Sequence, residues 1–387
     1  MRLTIYAYPW DLARVGVERS LRQIAGDGIS AIDLAATYHP IDALSPRGGA
    51  AIFSDARGAV YFPPRQKFYG RIQPKVHSPQ VSAVWPEVAA QASALGVDLN
   101  AWTITLFQPW IRDAYPDTAR VFPTGDRSGS AVCAANEDVR EFFVALCRDM
   151  VEQFGISLVR LENIMPIFDF DWLRPRVLVT LSALARTLMN LCFCEACSGR
   201  ALNHGLDLDH VRRLVKEGID AELEDGANNV AHAASFTDDV QLRAFVELAM
   251  CASTELVATI RASISPKARV SINAAASYEA VIGIAREQEL LAEFIAAADQ
   301  IALLPGHSGN AQVAALAAKA TPPREISALI PIVRAANHSG PALQARVSDP
   351  EVMAEQALLL GAGELSLYNF GLLRARDISA FASGIRS

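Results

Sequence analysis

The chain has 387 residues, of which 51% are hydrophobic and 20% charged, which excludes a disordered polymer and supplies ample material for a large core. Its formal charge of −7 comes without a lysine or arginine run, so nucleic acid and anionic membranes are not expected partners, and a small neutral or cationic ligand fits better. The start, MRLTIYAYPWDL, lacks the uninterrupted apolar core of a signal peptide and no long apolar span follows, so a cytoplasmic location is expected, where cysteines are free, buried or metal-bound rather than paired.

Leu3–Tyr8 reads as a compact apolar strand, followed by Pro9, Trp10 and Asp11 and a helical pattern over Val17–Ala25. After Gly26 and Gly28, Ala31–Thr37 is a second buried strand that ends in Tyr38 and His39, the spacing of a β-α-β crossover. The stretch 40–80 is rich in Gly, Pro and Arg, with GAVYFPP as a small hairpin, and is expected to be a long excursion at one end of the fold. Val81–Leu95 is helical, and DLNAWTITLF forms strand three, leaving Gln108 and Trp110 just beyond it. A polar loop then reaches Cys133. Asn136–Phe154 is an amphipathic helix opened by Asn136, with Glu137 and Asp138 complementing its dipole. It feeds the apolar, β-branched run Ile156–Leu161, which is strand four and has Glu162 at its exit.

The stretch 163–262 contains no convincing strand. Helices at Leu181–Leu191, Leu208–Glu222 and Val240–Ala262 surround a cysteine loop, and together they form the largest insertion. Alternation resumes with strand five at Ala268–Ala275, a helix over Tyr278–Ala297, and strands six to eight in DQIALLPG, EISALIPIV and GELSLYNFG. Eight buried strands alternating with helices imply a single α/β domain over 1–387, a (β/α)8 TIM barrel with large insertions after strands two and four. The competing arrangement, an open doubly wound sheet, is disfavoured because no G-x-G-x-x-G follows strand one.

A barrel of this kind places chemistry at the C-terminal ends of its strands. The residues there are Tyr8, Trp10 and Asp11; Tyr38, His39 and Asp42; Gln108 and Trp110; Glu162, Asn163, Asp169 and Asp171; Asn273; His307; Tyr368 and Asn369. Glu162 is the leading catalytic residue, since a carboxyl among aromatic rings has its pKa raised by desolvation and can serve as general acid. His39 and Asp169 are further catalytic candidates. Tyr8, Trp10, Tyr38, Gln108, Trp110, Asn163, Asn273, Tyr368 and Asn369 are the expected substrate-binding set. Flat rings beside amides and hydroxyls suit a carbohydrate or similar polyol.

Cys192, Cys194 and Cys197 form a C-x-C-x-x-C, whose spacing brings three thiols within reach of one tetrahedral ion. Cys133 is the favoured fourth ligand, with water or His204 as the alternatives. Four thiolates would make a closed site, so a zinc ion there is expected to be structural. Cys147 and Cys251 lie in helical patterns as core residues.

In this combination the chain resembles the zinc-containing β-galactosidases of glycoside hydrolase family 42. The resemblance rests on Cys133 before NEDVREFF, on CFCEAC at Cys192, Cys194 and Cys197, and on Glu162 at the end of strand four between them, covering roughly residues 130–200. It implies a barrel enzyme acting on sugars with Glu162 as acid/base. Two features depart from the family pattern. Leu161 rather than Asn precedes Glu162, and ALIPIVRAANHSG, where strand seven would deliver the nucleophile, has no carboxylate. Double displacement needs carboxyls about 5 Å apart and inversion about 6.5–9.5 Å, so Asp11, Asp42, Asp169 and Asp171 are the candidates for a second carboxylate. A sugar isomerase or epimerase and a non-catalytic glycan-binding barrel are the alternative readings, and the sequence leaves a homo-oligomer open.

Overall fold

The computed structural model describes residues 1–165, 179–225, 238–274, 279–303, 309–334 and 346–386. Eight parallel strands close into a barrel: β1 (Arg2–Ala7), β2 (Ala31–Tyr38), β3 (Asp98–Ile104), β4 (Leu158–Glu162), β5 (Arg269–Asn273), β6 (Gln300–Leu303), β7 (Glu325–Pro331) and β8 (Glu364–Tyr368). Each pairs in parallel with its sequence neighbours, and β1 closes the circle against β8 and β2. The expected eight-stranded α/β barrel is therefore present. Strand four runs to Glu162 itself, so this carboxylate is the last residue of the ladder, paired with Ile104 of β3.

These strands lie between a barrel interior and a surrounding layer of helices, and β2 is buried along all eight of its residues. That double covering explains their continuous apolar runs. The helix before β4, Glu137–Phe154, starts where the Asn136 side chain accepts from the Val139 N–H at 3.1 Å. It stops at Gly155, whose φ of 62° is the left-handed conformation that glycine adopts without a Cβ clash. The turn delivers the chain directly into β4.

The stretch after β2 differs from expectation. GAVYFPP is not a hairpin; Ala59–Val60 instead adds antiparallel to Thr37 and Tyr38 at the end of β2. The hairpin lies earlier, where Ile41–Ser45 pairs with Ala51–Asp55. A second hairpin, Ala119–Val121 with Arg127–Val132, occupies the expected polar loop before Cys133. Within 163–262 the described elements are helices, Ala183–Met189, Glu195–Asn203, Leu208–Asp225 and Val240–Ser263. Among the described residues no helix is long and apolar enough to cross a membrane.

The barrel interior is polar in its lower half. Arg160, two residues below Glu162 on β4, is 1% exposed and reaches Asp33 on β2 (3.2 Å), Ser271 on β5 (3.4 Å), Gln300 on β6 (3.4 Å), Ser327 on β7 (3.1 Å) and Glu364 on β8 (3.0 Å). Asp33 also accepts from Thr4 (3.0 Å) and Asn100 (2.9 Å). One guanidinium thus ties six strands together through the barrel axis. Above it the filling changes to rings, Tyr6, Tyr8, Tyr38 and Trp102, which form a separate buried cluster with Trp10, Tyr61 and Ile104.

Candidate active site

Glu162 stands at the boundary between those two layers. Its backbone carbonyl accepts from the Thr105 amide at 2.9 Å and the Thr105 hydroxyl at 2.8 Å, which fixes the end of β4 against the exit of β3. Its carboxyl oxygen Oε2 accepts from the Trp102 indole Nε1–H at 2.7 Å. Burial pushes the Glu162 carboxyl above the usual carboxylate range, and the Trp102 hydrogen bond and the Arg160 charge oppose that rise. The residue as a whole is half-buried. A raised pKa is what proton donation near neutral pH requires of a carboxyl.

Around it lie three phenols. Tyr8 donates to Tyr38 at 3.1 Å, Tyr8 and Tyr368 are 2.9 Å apart, and Tyr38 and Tyr368 are 3.4 Å apart. Each hydroxyl has a single proton, so the cluster is satisfied when the three donate in one direction round a ring. Burial holds all three hydroxyls above their ordinary pKa, and the nearby Glu162 charge adds to this. Trp102 packs against every ring of the group, stacked on Tyr8 and edge-on to Tyr38 and Tyr368. Trp10 is sandwiched between Tyr8, 4.3 Å away, and Phe53 of the hairpin, 3.8 Å away.

The structure brings Tyr8, Tyr38, Tyr368 and Glu162 together and places Trp10 behind Tyr8. His39 lies beside this group, its ring 4.1 Å from Tyr38 and its Nδ1 2.7 Å from the Pro40 carbonyl. Asn163 follows Glu162 in the left-handed region, φ 59°, which Asn tolerates better than most residues. Asn273 ends β5 and donates to the Ala302 carbonyl at 3.2 Å. Asn369 is buried, its Oδ1 accepting from Gly371 N–H and its Nδ2 unpartnered.

Two expected rim residues lie below the rim. The amide of Gln108 turns back to donate to the Ile104 carbonyl at 2.6 Å and accepts from Trp110 Nε1–H at 2.7 Å, while the Trp110 ring packs on Phe142 in the main core. Both are internal struts because the chain folds straight into the short helix Pro109–Ala114. Asp169, Asp171 and His307 lie outside the described residues.

Of the other carboxylates, Asp42 is exposed on the hairpin and bonded to Ser54. Asp11 is buried beside Gly371, where an added Cβ would fall 1.6 Å from its Oδ2. Trp102 and Arg160 were not in the expected set, although period-two counting back from Ile104 and Glu162 puts both on the inward face of their strands.

The sulfurs of Cys133, Cys192, Cys194 and Cys197 all lie within 4.8 Å of one another, three of the residues being buried and Cys197 partly so. The Cys133 and Cys197 sulfurs are 3.4 Å apart, and Cys133 accepts the Ala135 N–H at 3.4 Å. Hydrogen bonds from Cys133 and the other two thiols, helped by the Arg120 charge, hold the Cys192 thiol well below its usual range. This is a buried four-cysteine group able to hold a metal ion. His204 is exposed and bonded to the Arg200 carbonyl, away from the cluster as a ligand.

No protein-family model and no curated protein matches the sequence. Solved structures similar in fold are an α-L-fucosidase isoenzyme 2 from Paenibacillus thiaminolyticus (TM-score 0.58, 12% identity), covering 100% of this chain and 49% of its own. A β-galactosidase from the psychrophilic Marinomonas ef1 follows (0.57, 14%, covering 100% and 60%), as does one from the Antarctic haloarchaeon Halorubrum lacusprofundi (0.57, 13%, covering 99% and 58%). The chain thus spans about half to three-fifths of the length of these glycoside hydrolases, and the likeness is one of barrel fold.

Proposed function

We propose that this barrel is a carbohydrate-active enzyme in which Glu162 serves as general acid/base on a sugar or sugar-like substrate. The observation that carries the reading is Glu162 itself: a carboxyl at the C-terminal end of β4, raised in pKa by burial and flanked by Trp102, Tyr8, Tyr38 and Tyr368. Its barrel neighbours bear the names α-L-fucosidase and β-galactosidase, which supports the substrate class.

In the proposed step the glycosidic oxygen leaves with the bonding electron pair and takes the proton of Glu162, which becomes a carboxylate. Water supplies the new hydroxyl and gives its proton to a carboxylate, a role we assign to Asp169, seven residues after Glu162 in the sequence and outside the described residues. His39 and Asn163 would flank the reacting bond, with Tyr368, Asn273 and Asn369 contacting hydroxyls. Hydrolysis of aryl α-L-fucosides and β-D-galactosides tests this directly. Glu162→Gln should lower kcat about 10²–10⁴-fold, and unchanged turnover removes Glu162 from the chemistry.

We further propose that the four thiolates hold a structural zinc ion. Bonds of about 2.3 Å in a tetrahedron put sulfurs about 3.8 Å apart, within the spread found among these four. A closed four-thiolate shell has no open position for substrate, so the ion's contribution is to bind the strand-four insertion to the loop before Glu137–Phe154. Elemental analysis should find one zinc per chain, and Cys194→Ser should release it and lower the melting temperature. Protein purified without chelator and free of zinc defeats the assignment.

A further inference from the structure

We infer that Trp102 is a positioning residue for Glu162, its indole N–H holding Oε2 as a permanent acceptor so that the exchangeable proton is carried on Oε1 alone. The inference rests on the reading of Glu162 as proton donor and concerns how that donor is oriented.

An indole has one donor and no acceptor, so the 2.7 Å contact has a single polarity: Nε1 donates and Oε2 accepts. In the neutral acid an N–H prefers the carbonyl-type oxygen over the hydroxyl oxygen, which leaves the proton on the other atom. Trp102 has little freedom to release its hold. It is 1% exposed, and its ring lies 4.7 Å from Tyr6, 4.8 Å from Tyr38, 5.4 Å from Tyr8 and 5.9 Å from Tyr368. The other end of Glu162 is pinned through its backbone carbonyl by Thr105. A carboxyl fixed at its root and at one oxygen presents the second oxygen in one direction.

The arrangement also favours the reaction. As the proton leaves Oε1 the electron pair stays on Glu162, and the N–H···Oε2 bond strengthens because its acceptor has become charged. A donor that gains strength as charge develops lowers the barrier more than it stabilises the ground state.

The titratable groups that act on Glu162, or on which it acts, come from several strands. They are Tyr6 on β1 and Tyr8 just past its end, Tyr38 on β2, Arg160 on β4 and Tyr368 on β8. The tyrosines are held above their ordinary pKa by burial and stay neutral, so Arg160 is the fixed charge in this set.

The wild-type protein gives the first test. The Trp102 indole ¹⁵N–¹H resonance should shift once, at a pH above the usual carboxylate range, as Glu162 titrates, and that shift should vanish in Glu162→Gln. A Trp102 signal that ignores pH in the wild type overturns the inference. The second test is Trp102→Phe on an aryl glycoside that the wild type cleaves. Losing the donor to the carboxylate raises the Glu162 pKa, so the basic limb of the pH–rate profile should move to higher pH. The turnover number kcat should fall about ten- to a hundredfold with KM within about twofold. An unmoved basic limb, with Glu162→Gln inactive, overturns the positioning role alone, whereas full activity in Glu162→Gln overturns the general-acid reading. Should Trp102→Phe fail to fold, the wild-type resonance decides.

Discussion

The lower and upper halves of the barrel interior both contain carboxylates, and their neighbours treat them differently. Asp33 and Glu364 below share the Arg160 guanidinium, and Asp33 takes further hydrogen bonds from Thr4 and Asn100. Glu162, one inward-facing position higher on β4, receives the single Trp102 N–H and is otherwise walled by rings. In the lower layer the carboxylates meet several protein hydrogen-bond donors, and these contacts tie the strands together. In the upper layer desolvation outweighs the one donor and the more distant cation, and the carboxyl holds its proton to higher pH. A layer that satisfies charge stabilises structure; a layer that under-satisfies it raises the pKa of its carboxyl.

The severest way to break the comparison is to remove the cation that divides the layers. Arg160→Met leaves Asp33 buried without its counter-charge and Glu364 with only Arg2, 3.8 Å away, and stripping one partner from a buried ionic group costs about 3–5 kcal/mol. Urea denaturation should show that loss, and Arg160→Met combined with Asp33→Asn and Glu364→Gln should recover most of it. A cost below about 1 kcal/mol for the single change would mean that the lower layer is not held by charge. Because Arg160 lowers the Glu162 pKa, the folded fraction of Arg160→Met should also show Glu162 protonated to higher pH.

The eight barrel strands were legible because a parallel strand covered on both faces must be apolar nearly throughout, and β2 with its eight buried residues is the clearest case. The cysteine group was legible because ligand spacing is local, even though Cys133 lies 59 residues from Cys192. What the sequence concealed was partnership across the axis. Arg160 sat inside an apolar run, and its partners Asp33 and Glu364 are 127 and 204 residues away. The run at Ala59–Val60 looked like half of its own hairpin because it is buried, but the burial comes from docking on β2. Gln108 and Trp110 follow strand three in sequence as rim residues should, and only the sharp turn into Pro109–Ala114 folds them beneath it.

Asp11 sharpens the comparison at smaller scale, since it is a rim carboxylate with arginines nearby and yet is incompletely satisfied. It is 1% exposed, its Oδ1 is 3.9 Å from the Arg14 guanidinium, and its Oδ2 has no hydrogen-bond partner. Burial raises its pKa from 3.8 to about 6 against the opposing pull of Ser45, Arg14 and Arg47. A carboxyl whose folded pKa lies above its unfolded value favours the fold while protonated, and that advantage is lost as pH rises from 3.8 through about 6. At about 1.4 kcal/mol per pKa unit the loss is on the order of 3 kcal/mol. Asp11→Asn keeps the shape and removes the charge, so it should stabilise the protein by about 1–3 kcal/mol at pH 8 and by nearly nothing at pH 3.5. Paired urea titrations at the two pH values check this. An equal gain at both would mean that the substitution acts through packing against Gly371, whose backbone touches this carboxyl, and not through the charge.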